Sequence, residues 1–343
     1  MTDLRVISLF TGCGGADLGV VGGFQYLNEW YGRHPASIVS ASDINERSIN
    51  TYNLNTSYFG AKAECIDIRS LSLTGYNEVS LVVGGFPCQS FSTVNPTKNP
   101  QNTETQLFWE MAERINEIKP EMFIAENVKG FYRLGEGKYF RLACENFEQL
   151  GYTVHHKLLN SVDYGVPQLR ERLFIVGIRS DIKKSFNFPE PTHGNRFFDP
   201  HKPRVLNDVI DQSGVDPKYT FSEKAVVGAK NAKPNMKRLL AQNLDEPCLT
   251  ITSHLAKVSI NSRDPVLLID KENEIYRRFT PWEAAAIQSF PKNFNFAGGE
   301  GDIYRQVGNA IPPIMMWRLM QSIVTQIFEL PSGEFEVVGH DFS

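Results

Sequence analysis

LRVISLFTGCGG (residues 4–15) decides the fold class, because an apolar run ends abruptly in a turn with three glycines among five residues. That pattern reads as a strand handing the chain to a tight turn and then to a helix. Working outward, strands are predicted at 37–42, ending at Asp43; near 64–68, ending in Asp67-Ile68; and at 79–83, delivering Gly84-Gly85-Phe86-Pro87-Cys88-Gln89. Apolar spacing at Leu107, Met111, Ile115 and Ile118 predicts a helix over 105–119, with Pro120 as its stop. A strand at 122–125 delivers Glu126-Asn127, a helix over 140–150 stops at Gly151, and strands follow near 153–159 and 173–178. This alternation predicts an α/β fold: a Rossmann-like, mostly parallel sheet with helices on both faces. From about 181 to 276 the pattern breaks into a stretch rich in proline and asparagine, with short β-like pieces at 249–252 and 266–269. Helical signals return at 281–290 and 313–328. The expected division is one large unit from 1–179 and 303–343, and a smaller, irregular unit over 180–302.

The whole chain has 343 residues, 41% hydrophobic and 22% charged, which excludes a disordered tail, a collagen-like fibre and a small disulfide scaffold. No run of eighteen apolar residues occurs, and the strand-like segment at 4–10 leads to the expectation of no signal peptide. Five cysteines with no Cys-x-x-Cys pair predict reduced thiols in a soluble, cytoplasmic protein, and the histidine spacing predicts no metal. The net charge of −4 hides an asymmetry: −5 over residues 1–150, +5 over 151–280 and −4 over 281–343. A basic middle section could face phosphate, or could simply be a solvated, lysine-rich surface.

Several residues carry chemistry only in combination. Glycines after a strand, as in Phe10-Thr11-Gly12-Cys13-Gly14-Gly15, let backbone approach a ligand, yet ligand-free tight turns are common. Asp43 at the end of the second strand can accept both hydroxyls of a ribose, and Asp67 can accept from an adenine amino group. Each acid alone reads as a helix cap or a solvated turn residue. Parallel strand ends converge on one edge, and together they describe an adenosine-shaped site. Cys88 alone would read as a small buried hydrophobe. After Gly-Gly and Pro, in a loop on that same edge, it is a candidate nucleophile. Glu126-Asn127-Val128 places a carboxylate on the next strand end, and Gln168-Leu169-Arg170-Glu171-Arg172 alternates basic residues on one face, a pattern that a surface ion-pair ladder would also give.

In chain order, SLFTGCGGADLG (8–19), GGFPCQSFS (84–92), Glu-Asn-Val (126–128), QLRERLFIVG (168–177), RRFTPWEAAAIQSFP (277–291) and YRQVGNAIPP (304–313) together resemble the C5-cytosine DNA methyltransferases of the restriction-modification type. The resemblance implies methyl transfer from S-adenosylmethionine, leaving S-adenosylhomocysteine, to C5 of a cytosine flipped out of duplex DNA. It implies that Cys88 attacks C6, that Glu126 contacts N3 and the exocyclic amine, that Arg172 donates to O2, and that Arg170 helps hold the base. For the cofactor it implies stacking by Phe10, Gly12 and Gly14 facing the methionine part, the ribose on Asp43, and the adenine against Ile44 and Asp67. Thr11, Gly15, Ile68, Pro87, Leu107, Asn309 and Ile311 would complete that pocket. Gln89, Ser92, Asn127 and Gln168 would face the substrate, and the loop 90–101 would close over DNA. The last helix should pack beside the first strand–helix unit, bringing Asn309 back to the site. The same resemblance assigns target recognition to the 180–302 unit and double-stranded DNA as partner to a monomer, with a separate restriction endonuclease possible.

Three positions depart from the family pattern: Ser8 where Asp is common, Asp43 where Glu is usual, and Trp282 where a charged residue is usual. Two other readings compete. A transfer-RNA cytosine methyltransferase of the same fold would carry Cys-Phe-Thr in the target module, whereas this chain has Cys248-Leu249-Thr250. A non-catalytic DNA-binding relative would lack the nucleophile or the acid, and Cys88, Glu126, Arg170 and Arg172 are all present.

Overall fold

Val6, Ile7, Leu81, Val82, Phe123 and Ile124 are all buried, although neighbours in a strand point to opposite faces. Strands apolar on both faces lie between two helical layers, and a parallel sheet with helical crossovers supplies them. The computed structural model describes residues 3–87, 106–194, 202–211, 213–232, 240–256, 259–260 and 264–337. Its strands in chain order are β1 (Leu4–Leu9), β2 (Phe24–Tyr26), β3 (Glu29–Tyr31), β4 (Ala36–Asp43), β5 (Glu64–Cys65), β6 (Leu81–Gly85), β7 (Met122–Val128) and β8 (Tyr152–Asn160). They continue as β9 (Gln168–Leu169), β10 (Glu171–Arg179), β11 (Ala241–Gln242), β12 (Cys248–Leu249), β13 (Val266–Asp270), β14 (Ile275–Arg277) and β15 (Phe335–Val337).

Seven strands form the main sheet in the order β5-β4-β1-β6-β7-β10-β8. The first five run parallel, and β10 lies antiparallel to both of its neighbours. From β1 the chain builds β4 and β5 on one side, then crosses to build β6 and β7 on the other. The switch point therefore falls between β1 and β6, where strand ends open a crevice for a ligand.

The parallel sheet matches the sequence expectation, with local differences that have physical causes. The strand expected at 64–68 shortens to two residues, because Asp67 caps a 3-10 turn over Ile68–Ser70 by accepting the Arg69 N–H at 3.0 Å. The strand expected at 122–125 continues to Val128, because β10 pairs alongside it as far as Arg172 opposite Val128. Asn309 is the last residue of a helix over Glu300–Asn309.

Two cores flank the sheet. One joins Leu18 and Val21 of the first helix, Gly15–Val21, to Met316, Trp317 and Met320 of the last, Pro313–Gln326. These helices touch so closely that a Cβ on Gly19 would lie 2.4 Å from the Pro313 carbonyl oxygen. The other core packs Met111, Ile115 and Phe147 from helices Gln106–Ile118 and Lys138–Gln149 beneath the opposite face.

The middle of the chain builds a separate small core. Helix Glu223–Lys230 lies on the three-stranded sheet β11-β13-β14, burying Val226, Ala229, Val266 and Tyr276. It is tied to the large unit where β12 pairs with β9, Cys248 opposite Gln168. Residues 281–297 pack on the large unit: Phe290 and Phe294 join its core, and Asn55 donates to the Asn295 carbonyl at 2.7 Å. Among the described residues no helix is long and apolar enough to cross a membrane.

Candidate active site

A cavity of about 660 Å³ opens at the switch point, over the ends of β1, β4, β6 and β7. Its floor is the turn after β1. Phe10 and Gly12 lie at φ 54° and 56°, and Gly12 presents open space where a side chain would stand. Thr11 and Gly15 also line the cavity. Gly14, expected to face the cofactor, instead turns its open side to Phe59 and Tyr52, where a Cβ would meet the Phe59 ring at 2.5 Å.

Asp43 ends β4 with both carboxylate oxygens on backbone, accepting from Gly12 N–H at 2.9 Å and Asn45 N–H at 2.8 Å. Burial pushes its carboxyl upward, and those amides oppose the push. The lone pairs left on each oxygen are available to a diol. Ile44 is 68% exposed on the cavity rim, a large apolar side chain that nothing in the fold covers. Asp67 lines the same wall but is already ion-paired with Arg69, whose hydrogen bonds hold its carboxyl below the usual range. Ile68, Pro87 and Leu107 add apolar surface, and Asn309 and Ile311 close the opposite side. The C-terminal segment reaches this far because it lies against the glycine turn; a Cβ on Gly15 would meet the Ile311 carbonyl oxygen at 2.6 Å.

Glu126 stands at the deep end, where β7 ends beside β6. Its carboxylate lies 3.1 Å from Arg172 Nε, and both side chains are largely buried. It also abuts the end of β6, since a Cβ on Gly85 would meet Glu126 Oε2 at 3.1 Å. Burial raises the Glu126 carboxyl, with Arg172 and then Arg170 pulling against it. A carboxyl with heightened proton affinity, oriented by a guanidinium, can hold or deliver a proton at a ring nitrogen. Asn127 donates to the Phe86 carbonyl at 3.1 Å and so fixes the approach to Pro87. Cys88, Gln89 and Ser92 lie outside the described residues.

Two sequence expectations change here. Gln168 is fully buried and does not line the cavity; it donates to the Gln288 side chain and accepts the Ile251 N–H at 3.0 Å. Arg170, expected to help hold the base, spends its guanidinium on three carbonyls, of Ile251, Gly308 and Ala310, at 3.0, 2.9 and 2.9 Å. It thereby clamps the middle unit and the Asn309 segment together. The clamp needs Gly308, where a Cβ would lie 2.3 Å from the Thr252 backbone. Strand alternation put both arginines on one face; only the neighbouring segments decide that one is enclosed and the other faces Glu126.

Sequence reading also missed Asp17, which sits beneath the glycine turn. Ser8, where the resemblance makes Asp common, donates to Asp17 Oδ1 at 2.6 Å, so a carboxylate reaches this place from the helix instead.

The family model for C-5 cytosine-specific DNA methylase matches residues 4–326. The chain is 32% identical to the Type II methyltransferase M.BsuRI of Bacillus subtilis, over 91% of this chain and 77% of that one. It is 33% identical to M.BspRI of Lysinibacillus sphaericus, over 93% and 81%. Among solved structures, a Spodoptera frugiperda DNMT2 mutant superposes with a TM-score of 0.73 at 19% identity, covering 94% of this chain and 99% of that one. The Entamoeba histolytica methyltransferase EhMeth gives 0.71 at 18%, covering 94% and 98%. At those identities the two structures speak for the fold alone.

Proposed function

The chain belongs to the C-5 cytosine-specific DNA methylase family and is a DNA cytosine methyltransferase, and from that premise we propose that it methylates a flipped cytosine in duplex DNA from S-adenosylmethionine, through a covalent bond between Cys88 and C6. The observation that carries this reading is the Glu126–Arg172 pair, buried beside the strand end that delivers Cys88 and open to the cavity.

The residues present suit the cofactor. Among the lining charges Asp67 and Glu126 are ion-paired with Arg69 and Arg172, and Asp43 keeps lone pairs that a ribose diol can use. Phe10 and Ile44 would hold the adenine, Asp43 the ribose, and Asn309 and Ile311 would close the pocket. When bound, the cofactor supplies an electrophilic methyl group.

The chain's own residues would do the rest. The Cys88 thiolate adds to C6 and breaks the aromaticity that makes C5 a poor nucleophile. Glu126 delivers a proton to N3 as negative charge develops on the ring, and Arg172 stabilises the developing charge at O2. Once C5 carries the methyl, loss of its proton to solvent, departure of the Cys88 thiolate and return of the N3 proton to Glu126 restore the ring and the acid. None of these groups can reach a stacked base, so the target must leave the helix.

The middle unit, 180–302 by the division above, would read the DNA sequence. Because 281–297 packs on the large unit, the reading surface narrows to about 202–278. The Type II names of the relatives extend the proposal to a restriction-modification role, with a monomeric enzyme acting in the cytoplasm beside a separate endonuclease.

The test is methyl transfer from labelled S-adenosylmethionine to duplex DNA, with modified positions mapped by bisulfite sequencing. Cys88→Ser should bind cofactor and DNA but lose transfer by about three orders of magnitude or more, since an alkoxide forms far less readily than a thiolate. Substantial turnover by that variant overturns the covalent mechanism.

A further inference from the structure

The turn after β1 is held in an unfavourable backbone shape. Phe10, Gly12 and Gly14 lie at φ 54°, 56° and 93°, so every second residue of a five-residue stretch is left-handed. For Phe10 that conformation brings Cβ against its own backbone. Such a shape persists only where its surroundings over-determine it.

Two carboxylates do so. Asp43 holds Gly12 from the cavity side, through the N–H contact described above. Asp17 works from the core side, accepting from Ser8 Oγ at 2.6 Å and from Thr11 Oγ1 at 2.7 Å. Ser8 belongs to β1, Thr11 to the turn and Asp17 to the helix that follows, so one carboxylate links all three. Ser8 and Thr11 line the cavity, whereas Asp17 lies behind them and is fully buried. Among the described residues no cation pairs with it. A core site with no counter-ion favours an apolar side chain, and the hydroxyls of Ser8 and Thr11, with that of Tyr52 beside them, account for the acid found there.

We infer that Asp17 is a positioning residue for the cofactor, holding Ser8 and Thr11 so that the turn presents Phe10 and Gly12 to S-adenosylmethionine. This rests on the cofactor reading above. Asp17 touches no reacting atom, so its loss should act on cofactor affinity and leave the chemical step largely alone.

Asp17→Asn keeps the volume but replaces one acceptor oxygen with a donor, leaving one hydroxyl without its acceptor. Calorimetric titration of S-adenosylmethionine should show Kd raised about tenfold or more, the range for a hydrogen bond to a charged group. KM for the cofactor should rise in step, with kcat at saturating cofactor within about threefold of wild type. Kd for DNA should not move. Thr11→Val should weaken cofactor binding by itself, yet add less than its own factor to Asp17→Asn, because the two changes cut the same bond.

An Asp17→Asn protein that melts earlier but binds cofactor as wild type does would overturn the inference and leave Asp17 a core residue only. Parallel losses in cofactor binding, DNA binding and kcat would overturn it too. If Asp17→Asn does not fold, Thr11→Val stands in its place, and an unchanged Kd there has the same meaning. Wild-type protein that binds no S-adenosylmethionine would refute the cofactor reading itself, a result separate from any of these.

Discussion

The strand ends of the main sheet and the outer face of the irregular unit over 202–278 manage charge in opposite ways. At the strand ends Asp17, Glu126 and Arg170 are enclosed, and each is held by named partners at hydrogen-bond distance. On the outer face of the middle unit charge stays in solvent, with Lys230 paired to Glu274 and Lys218 to Glu300 of the following helix, all four at least 38% exposed. Its enclosed charges, Arg204 and Arg277, pair with Glu29 and Glu283 outside it, and Asp264 accepts from Thr252. Enclosed polar groups require defined partners and so define geometry, whereas solvated pairs contribute little and leave the surface free to vary. Fixed chemistry and variable recognition can therefore share one chain.

The sharpest break of that contrast is Glu126→Gln, which keeps size and hydrogen bonding but cannot give up a proton. Single-turnover methylation should slow by about 10²–10⁴-fold with cofactor affinity little changed. The wild-type rate should also fall as pH rises through the raised Glu126 value, because the proton it delivers is then lost; the Gln variant should lack that limb. An unchanged single-turnover rate would reduce Glu126 to a structural partner of Arg172.

Arg170→Gln comes next. Removing a charged donor from three buried carbonyls should destabilise the fold by roughly 3 kcal/mol, measured by denaturant unfolding. Cofactor binding should weaken as well, since Gly308 and Ala310 flank Asn309. Arg170→Lys should recover only part of the loss, because a single ammonium cannot span three carbonyls. Wild-type stability in Arg170→Gln would show that the clamp is dispensable.

The smallest effect should come from Lys230→Gln. Stability should change by less than about 0.5 kcal/mol, because the Glu274 pair is solvated. If Lys230 only faces water, the salt dependence of DNA binding will stay as it was. A slope lower by about one unit would place Lys230 on a phosphate and sharpen the basic footprint. Lys233, Lys237 and Arg238, the basic residues that follow it in sequence, lie outside the described residues.

Much of the site was legible from local signals. Phe10, Asp43, Asp67, Glu126 and Arg172 follow short apolar runs or strand alternation, and parallel strands deliver their ends to one edge. Gln168 and Arg170 were not legible in the same way. Strand alternation gives a face but not what covers it, and the cover comes from Ile251, Gln288, Gly308 and Ala310, about 80 to 140 residues further on. Asp17 escaped for a related reason: an acid in the first turn of a helix reads as solvated, and only the sheet above it and Tyr52 beside it enclose it.

The amino-acid sequence by itself determined the α/β class, the order along the chain of the seven main-sheet strands and the family, because periodicity, glycine turns and motifs are written in consecutive residues. Tertiary structure alone decided which polar groups became internal. Burial is set by segments distant in sequence, and enclosure turns a hydroxyl, an amide or a guanidinium from a surface group into one that must find a partner. Arg170, in the break between β9 and β10, and Arg172, on β10, are two residues apart, and the chain that folds back over the first leaves the second beside Glu126.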